Sequence, residues 1–226
     1  MIAELQNISK EYRESGLVAD TVLEGISLTI GEKDTIAITG PSGSGKTTLL
    51  NILGTLDKPS SGKVLLGGRE VRNMEEETLA EFRNRFIGFV FQLHYLLPQL
   101  TILENVLLPT MVVRETVFRK NAMERALMIL ERVGLKDHLK KYPSTLSVGE
   151  CQRTAVVRAL INKPGLLLAD EPTGSLDASN AGRLTDLLTG LQEEQGFAMV
   201  IVTHSPVIAS RMKTKYKLGS GKLLRD

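Results

Sequence analysis

Residues 40 to 48 read Gly-Pro-Ser-Gly-Ser-Gly-Lys-Thr-Thr, a filled G-x-x-x-x-G-K-[ST] pattern. It lies between an apolar run, Thr35 to Thr39, and a helix-like apolar run, Leu49 to Leu53. Strand, glycine-rich turn and helix in this order make a phosphate-binding loop. Gly40, Gly43 and Gly45 let the backbone turn its N–H groups inward, with Pro41, Ser42 and Ser44 completing the loop around a polyphosphate. Lys46 neutralises the β/γ charge, and the helix that begins there, through Thr48, points its positive end at the same anion. Thr47, next after the lysine, is placed to ligate Mg²⁺.

This loop alone does not separate one nucleotide-hydrolysing class from another. Leu166-Leu167-Leu168-Ala169-Asp170-Glu171 adds a buried-strand pattern ending in two adjacent carboxylates, and successive strand residues point to opposite sides. One acid then serves a metal and its neighbour serves water. Asp170 is expected to hold Mg²⁺ through its shell, and Glu171 to polarise the water that attacks a γ-phosphate.

Between these elements lies Leu146-Ser147-Val148-Gly149-Glu150-Cys151-Gln152-Arg153, leading into Thr154 to Ile161, whose apolar spacing suits a helix. This stretch resembles the signature motif of the ATP-binding-cassette (ABC) ATPases, usually Leu-Ser-Gly-Gly-Gln or Glu. The resemblance implies that Ser147 and Gly149, at a helix N-terminus, contact ATP held by a second copy, so the ATP-bound state is a homodimer. It also implies that Gln92, after the apolar strand Phe89 to Phe91, links the metal and the attacking water to a membrane partner. Ser175-Leu176-Asp177 resembles the D-loop of that family, and His204, after the strand Met199 to Thr203, its switch histidine at the γ-phosphate. Tyr12 matches the aromatic that stacks on adenine; a half-exposed strand tyrosine is the alternative, and the order of motifs favours stacking. The implied catalytic set is Glu171, His204, Gln92 and Lys46. The metal set is Thr47, Gln92 and Asp170, and the cofactors are ATP and Mg²⁺.

The fold this implies is α/β: an ABC-type P-loop domain with a mainly parallel core sheet, an antiparallel β lobe and an α-helical subdomain. Residues 1–226 are expected to form one domain, with about 1–92 and 161–226 as core and β lobe and about 93–160 as the helical subdomain. Directly from the residues, Ile2 to Ile8, Val22 to Ile30 and Lys63 to Leu66 read as strands, the first two separated by a polar stretch, Arg13 to Asp20. Met74 to Arg83 and Arg119 to Val133 read as helices, the latter closed by Gly134 as a C-terminal cap.

Composition narrows the class further. A formal net charge of +2 with both signs interspersed leaves no basic stripe for nucleic acid. No apolar stretch approaches the roughly 20 residues that span a bilayer, and Glu4 interrupts any charged-then-apolar leader. The expectation is therefore a cytoplasmic chain not inserted in the bilayer, and the resemblance implies that it is peripheral to the inner membrane through a partner. A single cysteine, Cys151, suits a reducing compartment. Its alternative as a catalytic thiol finds no partner among His94, His138 and His204.

The segment from Gly88 through Gln92-Leu93-His94-Tyr95-Leu96-Leu97-Pro98 to Val106 resembles the subgroup of lipoprotein-releasing and macrolide-exporting ATPases. An aromatic or histidine pair before Leu-Leu-Pro favours the lipoprotein-releasing kind, with the membrane subunits contacted near Gln92 to Pro98. An exporter ATPase, or a non-transporting regulator like the cell-division ATPase, is the alternative. The soluble ABC proteins of DNA repair or translation need a coiled-coil insertion or second cassette that 226 residues do not hold. Val148, Ser175 and Ser205 depart from the usual residues of the family. Val148 is expected to crowd the opposite copy's nucleotide.

Overall fold

The computed structural model describes residues 1–12, 20–113 and 116–226, side chains at 116, 117, 119 and 120 excepted. The expected polar separator after Tyr12 lies, but for Asp20, outside them. In chain order the elements are β1 (Ala3–Tyr12), β2 (Asp20–Ile30), β3 (Thr35–Thr39), α1 (Lys46–Leu53), β4 (Ser61–Leu66), β5 (Arg69–Glu70), α2 (Glu76–Phe86) and β6 (Ile87–Val90). They continue with α3 (Ile102–Leu107), α4 (Thr116–Arg132), α5 (Val148–Leu160), β7 (Leu166–Asp170), α6 (Ala178–Gln195), β8 (Ala198–Val202), α7 (Pro206–Ser210), β9 (Thr214–Gly219) and β10 (Lys222–Arg225). Short 3₁₀ turns connect several of them.

Two sheets result. One is antiparallel, in the order β2-β1-β4-β5; the other has six strands in the order β10-β9-β3-β8-β7-β6. In the second, β9 through β6 run parallel and only the β9–β10 edge pair is antiparallel. Parallel strands must be covered on both faces, and their side chains divide accordingly with period two. Ile36, Ile38, Leu166, Leu168, Val200 and Val202 face the layer holding α1 and the antiparallel sheet. Ala37, Leu167, Ala169, Met199 and Ile201 face the layer of α3 to α6.

Several boundaries differ from the sequence reading for local reasons. Helix α2 starts at Glu76 and not Met74, because Val71–Asn73 makes a 3₁₀ turn first and Glu76 and Glu77 then fill a first turn that favours negative charge. Strand β6 stops at Val90, leaving Phe91 in the following loop. Helix α5 begins six residues before Thr154, since Ser147 is its N-cap and Glu150 completes a capping box. Gly134, with φ of 73°, follows α4 where the cap was expected.

Candidate nucleotide site

In the parallel sheet the loops after β3, β8, β7 and β6 all leave at the carboxyl ends of neighbouring strands, where α/β folds bind ligands. These loops carry Lys46, His204, Glu171 and Gln92. Their convergence is therefore a consequence of strand order.

The loop after β3 is built to hold its backbone open. Gly40 can carry no side chain: a Cβ there would lie 2.2 Å from the Leu218 carbonyl oxygen. Gly45 takes φ of 95° as the N-cap of α1, and a Cβ would meet Val22 at 2.8 Å. No side chain caps α1, so its first-turn N–H groups point into the loop. Lys46, 9% exposed, donates from Nζ to the Gly40 and Pro41 carbonyls at 2.9 Å each, drawing the loop into a ring. The Ser44 hydroxyl inside that ring is buried and without a hydrogen-bond partner. A buried hydroxyl left unpaired is unfavourable, and a phosphate oxygen is the complement it lacks.

Asp170 ends β7 and accepts a hydrogen bond from the Thr47 side chain. Burial pushes its carboxyl above the usual range and the adjacent Glu171 charge adds to this, against the Thr47 hydrogen bond and the Lys46 charge. Two hard oxygen donors thus meet where a cation would offset the burial. Among the described residues no group of three or more His, Cys, Asp and Glu gathers. A Mg²⁺ site needs no such group, because one or two carboxylates suffice where water and phosphate oxygens complete the shell.

The expectation that Glu171 continues the strand fails. Its backbone turns to φ of 44°, its N–H still bonds the Val202 carbonyl at 2.9 Å, and its own carbonyl accepts from Gly174 at 2.9 Å. The carboxylate is separated from Asp170 by this sharp turn and not by strand alternation. It is held on the next strand's loop: His204 Nδ1 lies 2.9 Å from Oε1, and the His204 N–H donates to Oε2 at 3.3 Å. Gln92 lies against Gly174, while Ser175 donates to the Gln92 carbonyl at 3.2 Å. The structure therefore joins Thr47 with Asp170, Glu171 with His204, and Gln92 with the 174–175 turn.

Three expected residues, Tyr12, Ser147 and Gly149, stand apart from that cluster. Tyr12, 45% exposed at the end of β1, gives its hydroxyl to Asp57 at 2.9 Å, and Lys10 sits over its ring at 4.8 Å. Ser147 and Val148 are exposed at the start of α5. Gly149 beside them has room for a Cβ, the nearest heavy atoms being on Asn180 at 3.7 Å. Packing within one copy does not call for glycine there.

Sequence reasoning missed the residues that hold the Gln92 loop. Gln152, fully buried on α5, donates to the Phe91 carbonyl at 2.7 Å, and Arg158 two turns on donates to the carbonyls of His94 and Tyr95 at 2.6 and 2.7 Å. Buried Asn105 braces the next turn, accepting from the Leu97 N–H and reaching the carbonyls of Leu97, Leu100 and Thr101. The available signal was a polar Gln152 on the apolar side of a helix, among Cys151, Ala155 and Val156, since buried polar side chains are there to be paired. Gln152→Leu is expected to lower stability by about 1–3 kcal/mol through the orphaned Phe91 carbonyl. A melt together with faster hydrogen exchange at Gln92 checks this; an unchanged melt would mean the bond contributes nothing. Cys151 is buried, and burial raises its thiol above the ordinary value, which disfavours a reactive thiolate.

Residues 23–174 match the ABC transporter family model. The chain is 45% identical over 221 residues to a lipoprotein-releasing system ATP-binding protein of Syntrophus aciditrophicus, covering 98% of each chain. It is also 45% identical to the protein of the same description in Geobacter metallireducens, over 225 residues, 100% of this chain and 99% of that one. Among solved structures, a dimeric ATP-binding cassette in a post-hydrolysis state, bound to ADP and Pi, superposes with a TM-score of 0.89 at 38% identity, covering 98% of this chain and 96% of the other.

Proposed function

The chain belongs to the ABC transporter family, and on that premise we propose that it is the ATP-hydrolysing subunit of a lipoprotein-releasing transporter, acting as a pair of copies beneath an integral membrane partner. The observation that carries the transported class is the 45% identity, over nearly the whole of both chains, to lipoprotein-releasing ATP-binding proteins.

In this reading the loop from Gly40 to Thr48 holds the triphosphate, and Lys46 exchanges its two carbonyl partners for phosphate oxygens. Tyr12 stacks on adenine. Thr47, Asp170 and Gln92 would hold Mg²⁺, which would supply charge neutralisation on the phosphates. Glu171 orients and deprotonates the attacking water, and His204 fixes its carboxylate and faces the γ-phosphate. Ser147 and Gly149 reach the nucleotide of the second copy. The room beside Gly149 supports this, because the close approach it permits is then to a molecule outside the chain. Half-exposed Val148 stands in that same contact.

The core and β lobe, about 1–92 and 161–226, carry the nucleotide, and about 93–160 form the helical subdomain that bears the signature helix. The grip of Gln152 and Arg158 on the carbonyls around Gln92 supports a rigid link between the signature helix and that loop. The partner docks near Gln92 to Pro98. There Leu96 enters the core while Leu93 and Tyr95 are 59% and 60% exposed. An adjoining groove of about 730 Å³ is lined by Leu56, Phe89, Phe91, Val112 and Arg158. No helix among the described residues is long and apolar enough to cross a membrane. In this reading the partner holds the subunit at the cytoplasmic face.

The test is co-purification of the chain with its membrane partner, reconstitution in vesicles carrying an acylated protein, and measurement of ATP-dependent release to a soluble acceptor. Release of acylated protein is expected. Efflux of a small amphipathic compound with no such release would assign the exporter function instead, and ATP turnover with neither would assign the regulator.

A further inference from the structure

We propose that Glu150 is a positioning residue that withholds the Ser147 hydroxyl hydrogen from the nucleotide, so that closure of two copies requires the hydroxyl to turn this hydrogen away from the Glu150 carboxylate. The inference rests on the composite-site reading above. Ser147 Oγ lies 2.6 Å from Glu150 Oε2, which also accepts the Ser147 N–H at 2.8 Å, and the Glu150 N–H returns to Oγ at 3.3 Å. The second carboxylate oxygen faces His138 Nε2 at 3.6 Å.

A serine hydroxyl has one hydrogen. Hydrogen bonds from the Ser147 side chain and N–H hold the Glu150 carboxyl below its ordinary range, so at neutral pH it is ionised and only accepts. The single hydrogen of Ser147 therefore goes to Glu150, and the hydroxyl turns a lone pair outward. Phosphate oxygens also only accept. A Ser147–phosphate contact thus costs a short, charge-assisted hydrogen bond before it forms one. Glutamine at 150 removes that obstacle. It completes a capping box equally well, but it holds the hydroxyl through a neutral bond, or donates to Oγ and leaves the hydrogen free. The carboxylate in effect keeps an idle copy from closing prematurely.

The experiment uses the full chain carrying Glu171→Gln, with dimerisation at fixed ATP read by analytical ultracentrifugation. Adding Glu150→Gln is expected to tighten the dimer about tenfold at each of its two Ser147 contacts, the ratio between a charge-assisted and a neutral hydrogen bond, hence about a hundredfold for the pair. The gain is expected to disappear when Ser147 is changed to alanine. An unchanged melting temperature without nucleotide checks that the helix start is intact. A gain of equal size with Ser147→Ala would assign the effect to charge repulsion alone and overturn the proposal, as would an unaltered or weaker dimer. Failure of the Glu171→Gln parent to dimerise would overturn the composite-site reading and this inference together, whereas a parent dimer indifferent to Glu150→Gln overturns the inference alone.

Discussion

Glu171→Gln is expected to bind ATP and keep it, with turnover lowered roughly 10²–10⁴-fold, the usual contribution of a positioned general base. The substitution retains the shape of the side chain. It also retains an acceptor for His204, which now approaches both carboxylate oxygens within 3.3 Å, so the turn after β7 survives. One oxygen still accepts from the His204 N–H, the amide nitrogen can donate to a neutral Nδ1, and the negative charge and the capacity to take the water's proton are lost. Nucleotide extracted after incubation should be ATP, and gel filtration with ATP should show a dimer that does not decay. Hydrolysis at the original rate would remove Glu171 from the role of base and leave the positive φ at that residue without a functional reason.

Lys46→Ala is expected to act earlier in the cycle. The ammonium now spans the Gly40 and Pro41 carbonyls. Removing it leaves the phosphate-binding loop without a point charge at the place where the β and γ charges gather. Loss of one such preorganised donor typically lowers turnover by about 10²–10³-fold, and here ATP affinity should fall as well, because the same group binds the ground state. Equilibrium binding of a fluorescent ATP analogue alongside turnover checks this. Equal affinity and equal turnover would detach the loop from nucleotide altogether. The contrast with Glu171→Gln is informative, since one variant loses the ligand and the other retains it.

The parts of the site that were legible in the chain are those set by near neighbours. Gly40 to Thr48 could be read as a phosphate loop because its turn, its lysine and its helix start occupy nine consecutive positions. The capping of α5 by Ser147 and Glu150 is likewise a matter of three residues, yet apolar spacing alone put the helix from Thr154 and left that box unread. Even here local patterning misled at Glu171. An apolar run predicts a strand, and nothing in the run announces that the backbone turns to φ of 44° one residue after Asp170. The turn falls where the ladder ends: the Glu171 N–H bonds the Val202 carbonyl of the neighbouring strand, and its own carbonyl turns to accept from Gly174.

What the chain alone determined is the kind of element at each place, two-faced burial of the central strands, and the chemistry available at their ends. Tertiary structure decided which ends meet. The bonds from Gln152 to Phe91, from Arg158 to His94 and Tyr95, and from Tyr12 to Asp57 join residues 61, 64, 63 and 45 positions apart. The first three exist because α5 packs against β6, and the last joins the end of β1, in the other sheet, to the turn after α1. Side-chain alternation records that a strand is covered on both faces, but it does not record its neighbour. Every strand edge offers the same backbone N–H and C=O groups, and the order is chosen only when the two apolar layers pack on either side of the whole sheet.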